Sequence, residues 1–202
     1  LNQNRPFKAR YFECKKKLLT FEKKIMLVNF DASKYFSLVN DFYRNNSGFD
    51  YYFSDIQKAI TYCENSDDIE VYSFTHETNS QIDAHISLIV NKNQIENTGT
   101  FGFFECVDDE KIFFIIWKKI VDKAKELNLK KLIGPINGNI WFQYRVISIS
   151  EKTDFFPSEP ITKQYYVKFF RKLMNISEIE YHSAYRKKFE TIIKLTESSY
   201  KQ

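Results

Sequence analysis

Apolar residues recur at two different periods along this chain, and the changes of period mark out its elements. Over residues 31–46, Tyr35, Phe36, Leu38, Val39 and Phe42 fall at helical spacing, so the segment predicts a helix. Asp31 is placed to cap it, and Asn45-Asn46-Ser47-Gly48 stops it. A second, short helix is expected over 53–64, with Ser54 as N-cap and Asp55 in the first turn, where an acid favours the helix dipole. The period then falls to two. Residues 69–75 alternate and are rich in β-branched and aromatic side chains, which predicts a strand. The polar turn Glu77-Thr78-Asn79-Ser80 separates it from a second strand over 81–90, and the two should pair as an antiparallel hairpin. A polar connection over 91–97 leads to a third strand over 98–106.

The acidic turn Val107-Asp108-Asp109-Glu110 heads a long amphipathic helix over 111–127. Ile112, Ile115, Ile116, Lys119, Ile120, Lys123, Ala124 and Leu127 mark one broad face, with the two lysines at its edge. Phe113, Phe114 and Trp117 widen the apolar surface. A fourth strand over 129–133 should run parallel to the third, because a helix separates them. After Gly134-Pro135 the pattern weakens. Residues 141–150 read as a strand or a loop, and Phe155-Phe156-Pro157-Ser158-Glu159-Pro160 as a proline-punctuated turn. An aromatic helix is expected over 163–174 and a last strand over 178–185. The order of helices and strands gives an α/β (α+β) chain with a mixed, mostly antiparallel sheet and a parallel βαβ unit.

Composition changes this picture in two places. Aromatics make up 17% of the 202 residues, with 20 Phe and 13 Tyr, so much of the core or of a pocket lining must be aromatic. The net charge of +4 is concentrated at one end. Residues 1–25 hold eight basic side chains against two acids, out of 30 and 26 in the whole chain, which leaves the remainder slightly acidic. A nucleic-acid partner would therefore rest on the leader alone, and none is expected. The chain divides into a basic N-terminal arm (1–25), one domain (26–185) and a polar tail (186–202). Met26 opens Met26-Leu27-Val28-Asn29-Phe30 like a natural start, so the arm reads as added or upstream-translated sequence or as a terminal helix. It does not make a secretory signal, and no segment has the ~18 apolar residues that a membrane span needs. Cys14, Cys63 and Cys106 are far apart and odd in number, without zinc or disulfide spacing, so a reducing cytoplasm is the simplest setting.

Gly102-Phe103-Phe104-Glu105-Cys106, the turn Asp108-Asp109 and Gly134-Pro135-Ile136-Asn137 together carry a resemblance. Over about residues 69–185 the chain resembles the GNAT acyltransferase superfamily, in the branch that combines these motifs. Pro157-x-Glu159-Pro160, Tyr165-Tyr166 and Tyr181-x-Ser183 fit the same branch. The resemblance implies a sheet covered by helices on both faces. Its two central parallel strands part at their carboxyl ends, and acyl-CoA or an acyl-carrier phosphopantetheine lies in the opening as donor. Phe104, Cys106, Val107, Gly134 and Asn137 would then border the donor, since parted strands leave backbone groups that a pantetheine amide can satisfy. Similar proteins can continue well beyond the Tyr-x-Ser segment, so a truncated or minimal member is one expectation.

Two departures from the family bear on the chemistry. The usual Gln/Arg-x-x-Gly-x-Gly/Ala loop, whose amides bind the CoA pyrophosphate, is replaced by Val107-Asp108-Asp109-Glu110-Lys111. Three carboxylates there oppose a diphosphate, so another acyl carrier or another mode of CoA binding is expected. The family's general-acid tyrosine is replaced by Phe170, and Tyr166, one turn earlier on a similar helix face, is the candidate substitute. Glu105 is the candidate general base toward an attacking amine; the structural alternative is a carboxylate that satisfies nearby N–H groups. Cys106 as a nucleophile is disfavoured by its acidic neighbours, and a packed thiol is expected. Trp141 is expected to wall an apolar pocket, with Tyr144 beside it. Arg145 either grips a carboxylate or phosphate of the substrate or makes a surface salt bridge. His85 alternates with Asp83 and Ser87 and is expected at the solvent or the sheet rim, while His76 and His182 read as structural. Three scattered histidines make no metal set, and no metal is expected.

Two functions follow as expectations. The first is N-acyl transfer from a thioester donor (acyl-CoA or an acyl-carrier protein) to a small-molecule amine. The second is a non-catalytic module of the same fold that binds a ligand or a partner protein. A homodimer is compatible with either.

Overall fold

The computed structural model describes residues 27–28, 30–46, 48–94, 97–148 and 160–181. In chain order they form β1 (Leu27–Val28), α1 (Ala32–Tyr43), α2 (Phe49–Asn65), β2 (Ile69–Thr78), β3 (Gln81–Asn91), β4 (Thr98–Cys106), α3 (Glu110–Glu126), β5 (Lys131–Ile133) and α4 (Tyr165–Arg171). The expected arm (1–25) and tail (186–202), the Pro157 turn, His182 and Ser183 lie outside the described residues.

The fold is α+β. The strands make one mixed sheet in the order β1-β2-β3-β4-β5. β2, β3 and β4 pair antiparallel, and the outer pairs β1–β2 and β4–β5 are parallel. Asn79 and Ser80 close the β2–β3 hairpin, both at positive φ (51° and 65°), as a two-residue turn requires. Asp31 caps α1 through the amides of Ser33 and Lys34, as the sequence predicts. α2 starts earlier than expected, at Phe49 after Gly48, and Ser54 lies inside it.

Helices cover both faces. Tyr35, Val39 and Tyr43 of α1 and Tyr52, Ile56 and Ile60 of α2 pack on Ile69, Val71, Ile89 and Phe103. On the other face, Phe113, Ile116, Ile120 and Ala124 of α3 and Phe169 and Phe170 of α4 pack on Ile86, Leu88, Phe101, Phe104 and Cys106. The buried stripe of α3 is narrower than its apolar face: Phe114 and Ile115 are exposed. Of the expected edge lysines, Lys119 donates to the Thr75 carbonyl and Lys123 lies over the Tyr72 ring.

One irregularity in β4 decides which side chains face which layer. From His85 to Ser87 β3 advances two residues, while the paired strand moves three, from Glu105 to Gly102. The extra residue is taken up at Phe103, which adopts φ 45°. Because side chains alternate, one inserted residue reverses the facing of everything beyond it. Phe101, Phe104 and Cys106 therefore share the α3–α4 face. Phe103 and Glu105 turn toward α1 and α2.

The parallel pair differs from expectation in position. It was expected at the centre of the sheet, yet β5 is an outer strand among the described residues. Of the last strand expected over 178–185, residues 178–181 are described and form none. There Glu178 is instead held by a two-pronged contact from Arg171 (3.0 and 2.6 Å). Residues 141–148 form turns, with one bridge between Ile136 and Tyr144.

β5 pairs with β4 only from Thr98 to Thr100. Past Gly134-Pro135 the chain stays against β4 for one more rung, the Ile136 amide donating to the Phe101 carbonyl at 2.7 Å. Gly102 permits this approach: a Cβ there would sit 2.1 Å from the Ile136 carbonyl oxygen. At Gly99 the nearest atoms are the ends of leucine side chains, which can move. Gly102→Ala should therefore destabilise the domain by about 3 kcal/mol or more, and Gly99→Ala by clearly less. Urea unfolding of the two variants checks the ranking.

Candidate functional site

Beyond Phe103, β4 stays paired with β3 on one side, while on its β5 side no strand of the described residues runs beside it and the edge is closed by side chains. Asn137 Oδ1 accepts from the Phe103 amide at 2.6 Å. The Cys106 amide donates to the Tyr166 hydroxyl at 3.0 Å, and the Tyr165 hydroxyl donates to the Cys106 carbonyl at 2.7 Å. Pairing between β4 and β5 thus ends at Thr100 and Ile133, and the chain's own polar groups meet the β4 edge beyond it. What remains is a cavity of about 30 Å³, the scale of one or two water-sized groups.

Glu105 stands at this cavity with 2% of its surface exposed. Its Oε2 accepts from the hydroxyls of Tyr43 (2.8 Å) and Tyr166 (2.6 Å), and its Oε1 from that of Tyr52 (2.9 Å). Three elements, α1, α2 and α4, each deliver one phenol to one carboxylate. Burial pushes the Glu105 carboxyl up to about 7; the three phenol donors and the Lys163 ammonium pull the other way. Burial and the Glu105 charge hold the three tyrosines well above their ordinary value, so they remain donors.

The residues singled out in the sequence divide accordingly. Phe104, Glu105, Asn137, Tyr144, Arg145 and Tyr166 meet at the cavity wall. Cys106, Val107, Gly134 and Trp141 are not among its lining. The Cys106 side chain is buried in the α3–α4 core and its thiol is pushed up to about 12, first by burial and then by Asp109, Glu105 and other acids. The Val107 amide is bonded to the Asp83 carbonyl, on the β3 side. Gly134 lies against the Phe101 carbonyl, and Trp141 is 85% exposed rather than walling a pocket. Arg145 has φ 69° and sets its guanidinium over the Tyr144 ring at 4.8 Å.

At the head of α3, Asp109 Oδ1 accepts from the amides of Lys111 (2.8 Å) and Ile112 (3.3 Å). The helix amides that hold a pyrophosphate elsewhere are bonded to a carboxylate here. Among the described residues no group of three or more His, Cys, Asp and Glu is placed to hold a metal, and no helix is long and apolar enough to cross a membrane. An open groove of about 570 Å³ runs along the outer face of α2, past Ser54, Lys58 and Tyr62; it brings no two charged side chains together.

Sequence reasoning missed Tyr43, Tyr52 and Gln143 and misplaced His85. The available signal was a buried tyrosine at helical spacing, whose hydroxyl must find a partner. His85 is fully buried, not at the rim, because α1 covers that face: the Phe30 and Tyr35 rings lie 5.6 and 4.7 Å away. Its Nδ1 is bonded to the Phe103 carbonyl at 2.6 Å, so the ring donates there. Burial pushes its imidazole down to about 4, against that bond. Comparison with protein-family models, with curated proteins and with solved structures finds no match.

His85 and Glu105 are register partners with opposite proton linkage. Glu105, raised to about 7 from 4.5, favours the fold when protonated, so its contribution is full below 4.5 and is lost as pH rises through 7. His85, lowered to about 4 from 6.5, favours the fold when neutral, so its contribution is full above 6.5 and is lost as pH falls through 4. Each amounts to about 3 kcal/mol, and between pH 4.5 and 6.5 the two slopes cancel. Glu105→Gln should make stability rise with pH across that window, and His85→Gln should make it fall. Chemical denaturation at several pH values measures both slopes. Tyr43→Phe removes a donor that favours the carboxylate, so Glu105 should then titrate above 7 in a carboxyl ¹³C NMR titration.

Proposed function

We propose that the domain is a GNAT-like N-acyltransferase in which Glu105 takes the proton of an amine acceptor and Tyr166 serves the leaving thiolate. The observation that carries this reading is the buried Glu105–Tyr166 pair at the parted end of β4. The carboxyl there is pushed up to about 7, where a general base works best at neutral pH.

The geometry supports a balanced sequence. The Cys106 amide points at the Tyr166 oxygen, 3.0 Å away. A thioester carbonyl oxygen that displaced the phenol would accept from the same amide and be polarised by it. The amine nitrogen attacks the carbonyl carbon and loses a proton to Glu105. The C–S bond breaks, and the thiolate takes the Tyr166 proton. Tyr166 recovers a proton from Glu105, 2.6 Å away. The net change is amine plus thioester to amide plus thiol, with both groups restored.

The donor is an acyl-pantetheine. Asp109 occupies the helix amides that would hold a nucleotide pyrophosphate. That favours an acyl-carrier protein, or an acyl-CoA whose nucleotide lies elsewhere. Binding must also open the β4 edge that Asn137, Tyr165 and Tyr166 now close. The same closure favours the second reading, a module of this fold that binds a ligand without turnover.

Mass-spectrometric detection of N-acylated product separates the two. Acyl-CoA and acyl-pantetheine donors are offered with a panel of primary amines. Transfer should fall by about 10²-fold or more in Glu105→Gln, with a folded protein by circular dichroism. Product formation that is equal in Glu105→Gln and wild type, or absent with every donor, sinks the catalytic reading.

A further inference from the structure

Lys163 joins the segments that carry two of the three phenols on Glu105. Its carbonyl accepts from the Tyr166 amide at 3.1 Å, at the start of α4. Its ammonium crosses to the end of α1, where it donates to the Phe42 carbonyl at 3.0 Å. The same Nζ lies 4.8 Å from the centroid of the Tyr43 ring and 5.1 Å from that of Phe42. Tyr43 and Tyr166 donate to one atom, Oε2 of Glu105, at 2.8 and 2.6 Å. One residue thus braces both donors of that oxygen, by a contact between residues 121 positions apart.

Part of this arrangement belongs to the helix. The last carbonyls of a helix are unmet within it and form its negative pole, which a cation relieves. α1 has no basic residue in its last turn, and Lys163 supplies the cation from outside. That accounts for the Phe42 contact and leaves the ring contact over. A cation on the face of a phenol ring is held by the ring electrons and draws on them, which strengthens the hydroxyl as a donor.

The groups around Glu105 show where that charge is felt. Tyr35 and Tyr43 face it from α1, Tyr52 from α2, Tyr166 from α4, His85 from β3 and Arg145 from the cavity wall. The four tyrosines are held well above their ordinary value and His85 is pushed down to about 4, so these five are neutral at neutral pH. Arg145 sets its guanidinium over the Tyr144 and Tyr181 rings. Lys163 is set on a ring whose hydroxyl donates to Glu105. Burial raises the Glu105 carboxyl, and the Lys163 charge opposes it after the three phenols.

We propose that Lys163 is a positioning residue for Glu105: it braces Tyr43 against Tyr166 and, through the Tyr43 ring, favours the ionised carboxylate. Its bearing on acyl transfer rests on the function proposed above, since a base must be ionised before it takes the amine proton. The bracing and the charge effect do not rest on it.

The test is a carboxyl ¹³C NMR titration of Glu105 in the full chain, with no acyl donor present. Lys163→Met keeps the length and removes the charge. It should raise the Glu105 midpoint by about half a pH unit or more, roughly threefold in proton affinity. Lys163→Arg keeps the charge and should restore most of the wild-type midpoint. Lys163→Gln covers the case in which the Met variant does not fold: its amide is a neutral donor, and the midpoint should rise as well. In Tyr43→Phe the ring stays and the hydroxyl is gone, so Lys163→Met added there should raise the midpoint clearly less. A brace without a charge effect would lower stability and leave the midpoint in place. A midpoint unmoved in the folded Met or Gln variant therefore overturns the proposal. So does an Arg variant that shifts as far as Met, or a full shift in the Tyr43→Phe background. A protein that transfers no acyl group can still show the shift, so failure of the catalytic reading and failure of this one are read separately.

Discussion

The structure depends on how a carboxylate is kept inside it. A charge moved from water into a protein interior costs several kcal/mol unless hydrogen bonds meet it. Glu105 is met by three phenols drawn from α1, α2 and α4. These contacts tie both helical layers to the sheet at one point. α1 and α2 approach from one face, and Tyr166 reaches round the β4 edge from the other. It can do so because β5 stops level with Thr100 and leaves that edge open. The short strand, the buried acid and the tyrosine-rich helices are one arrangement.

The inserted residue at Phe103 is its backbone counterpart. Without it, Glu105 would face α3 and Phe104 would face α1. The bulge sends the acid to the face that carries Tyr43 and Tyr52, and turns the Phe103 carbonyl onto His85. The two register partners that result, a carboxyl pushed up by burial and an imidazole pushed down by it, are both neutral over part of the acid range. A buried pair that carries no charge avoids the desolvation that two ions would suffer.

The parted edge also sets what can bind. A backbone edge left bare would take a pantetheine amide, but here Asn137, Tyr165 and Tyr166 satisfy it. At the head of α3, Asp109 does the same to the helix amides. At both places the backbone groups are met by side chains of this chain.

Much of the fold was legible from local pattern. The cap at Asp31, the acidic head of α3, the hairpin turn at Asn79-Ser80, β4 and the long α3 all follow from periodicity and turn chemistry, which act over a few residues. Glu105 and Tyr166 were legible as candidates by resemblance. Their mutual contact was not, because it joins residues 61 positions apart. The same holds for Tyr43 and Tyr52, whose partner lies on another element. Alternation misplaced His85 because a strand covered on both faces has no solvent side to betray its register. Trp141 was read as a wall because its chemistry suits one, yet exposure is decided by neighbours. The chain by itself determined its helices, its hairpin and the βαβ unit, since these rest on short-range sterics and hydrogen bonding. Only the tertiary structure decided which face Glu105 occupies and what fills the gap beside it, since one extra residue in a strand reverses every facing after it.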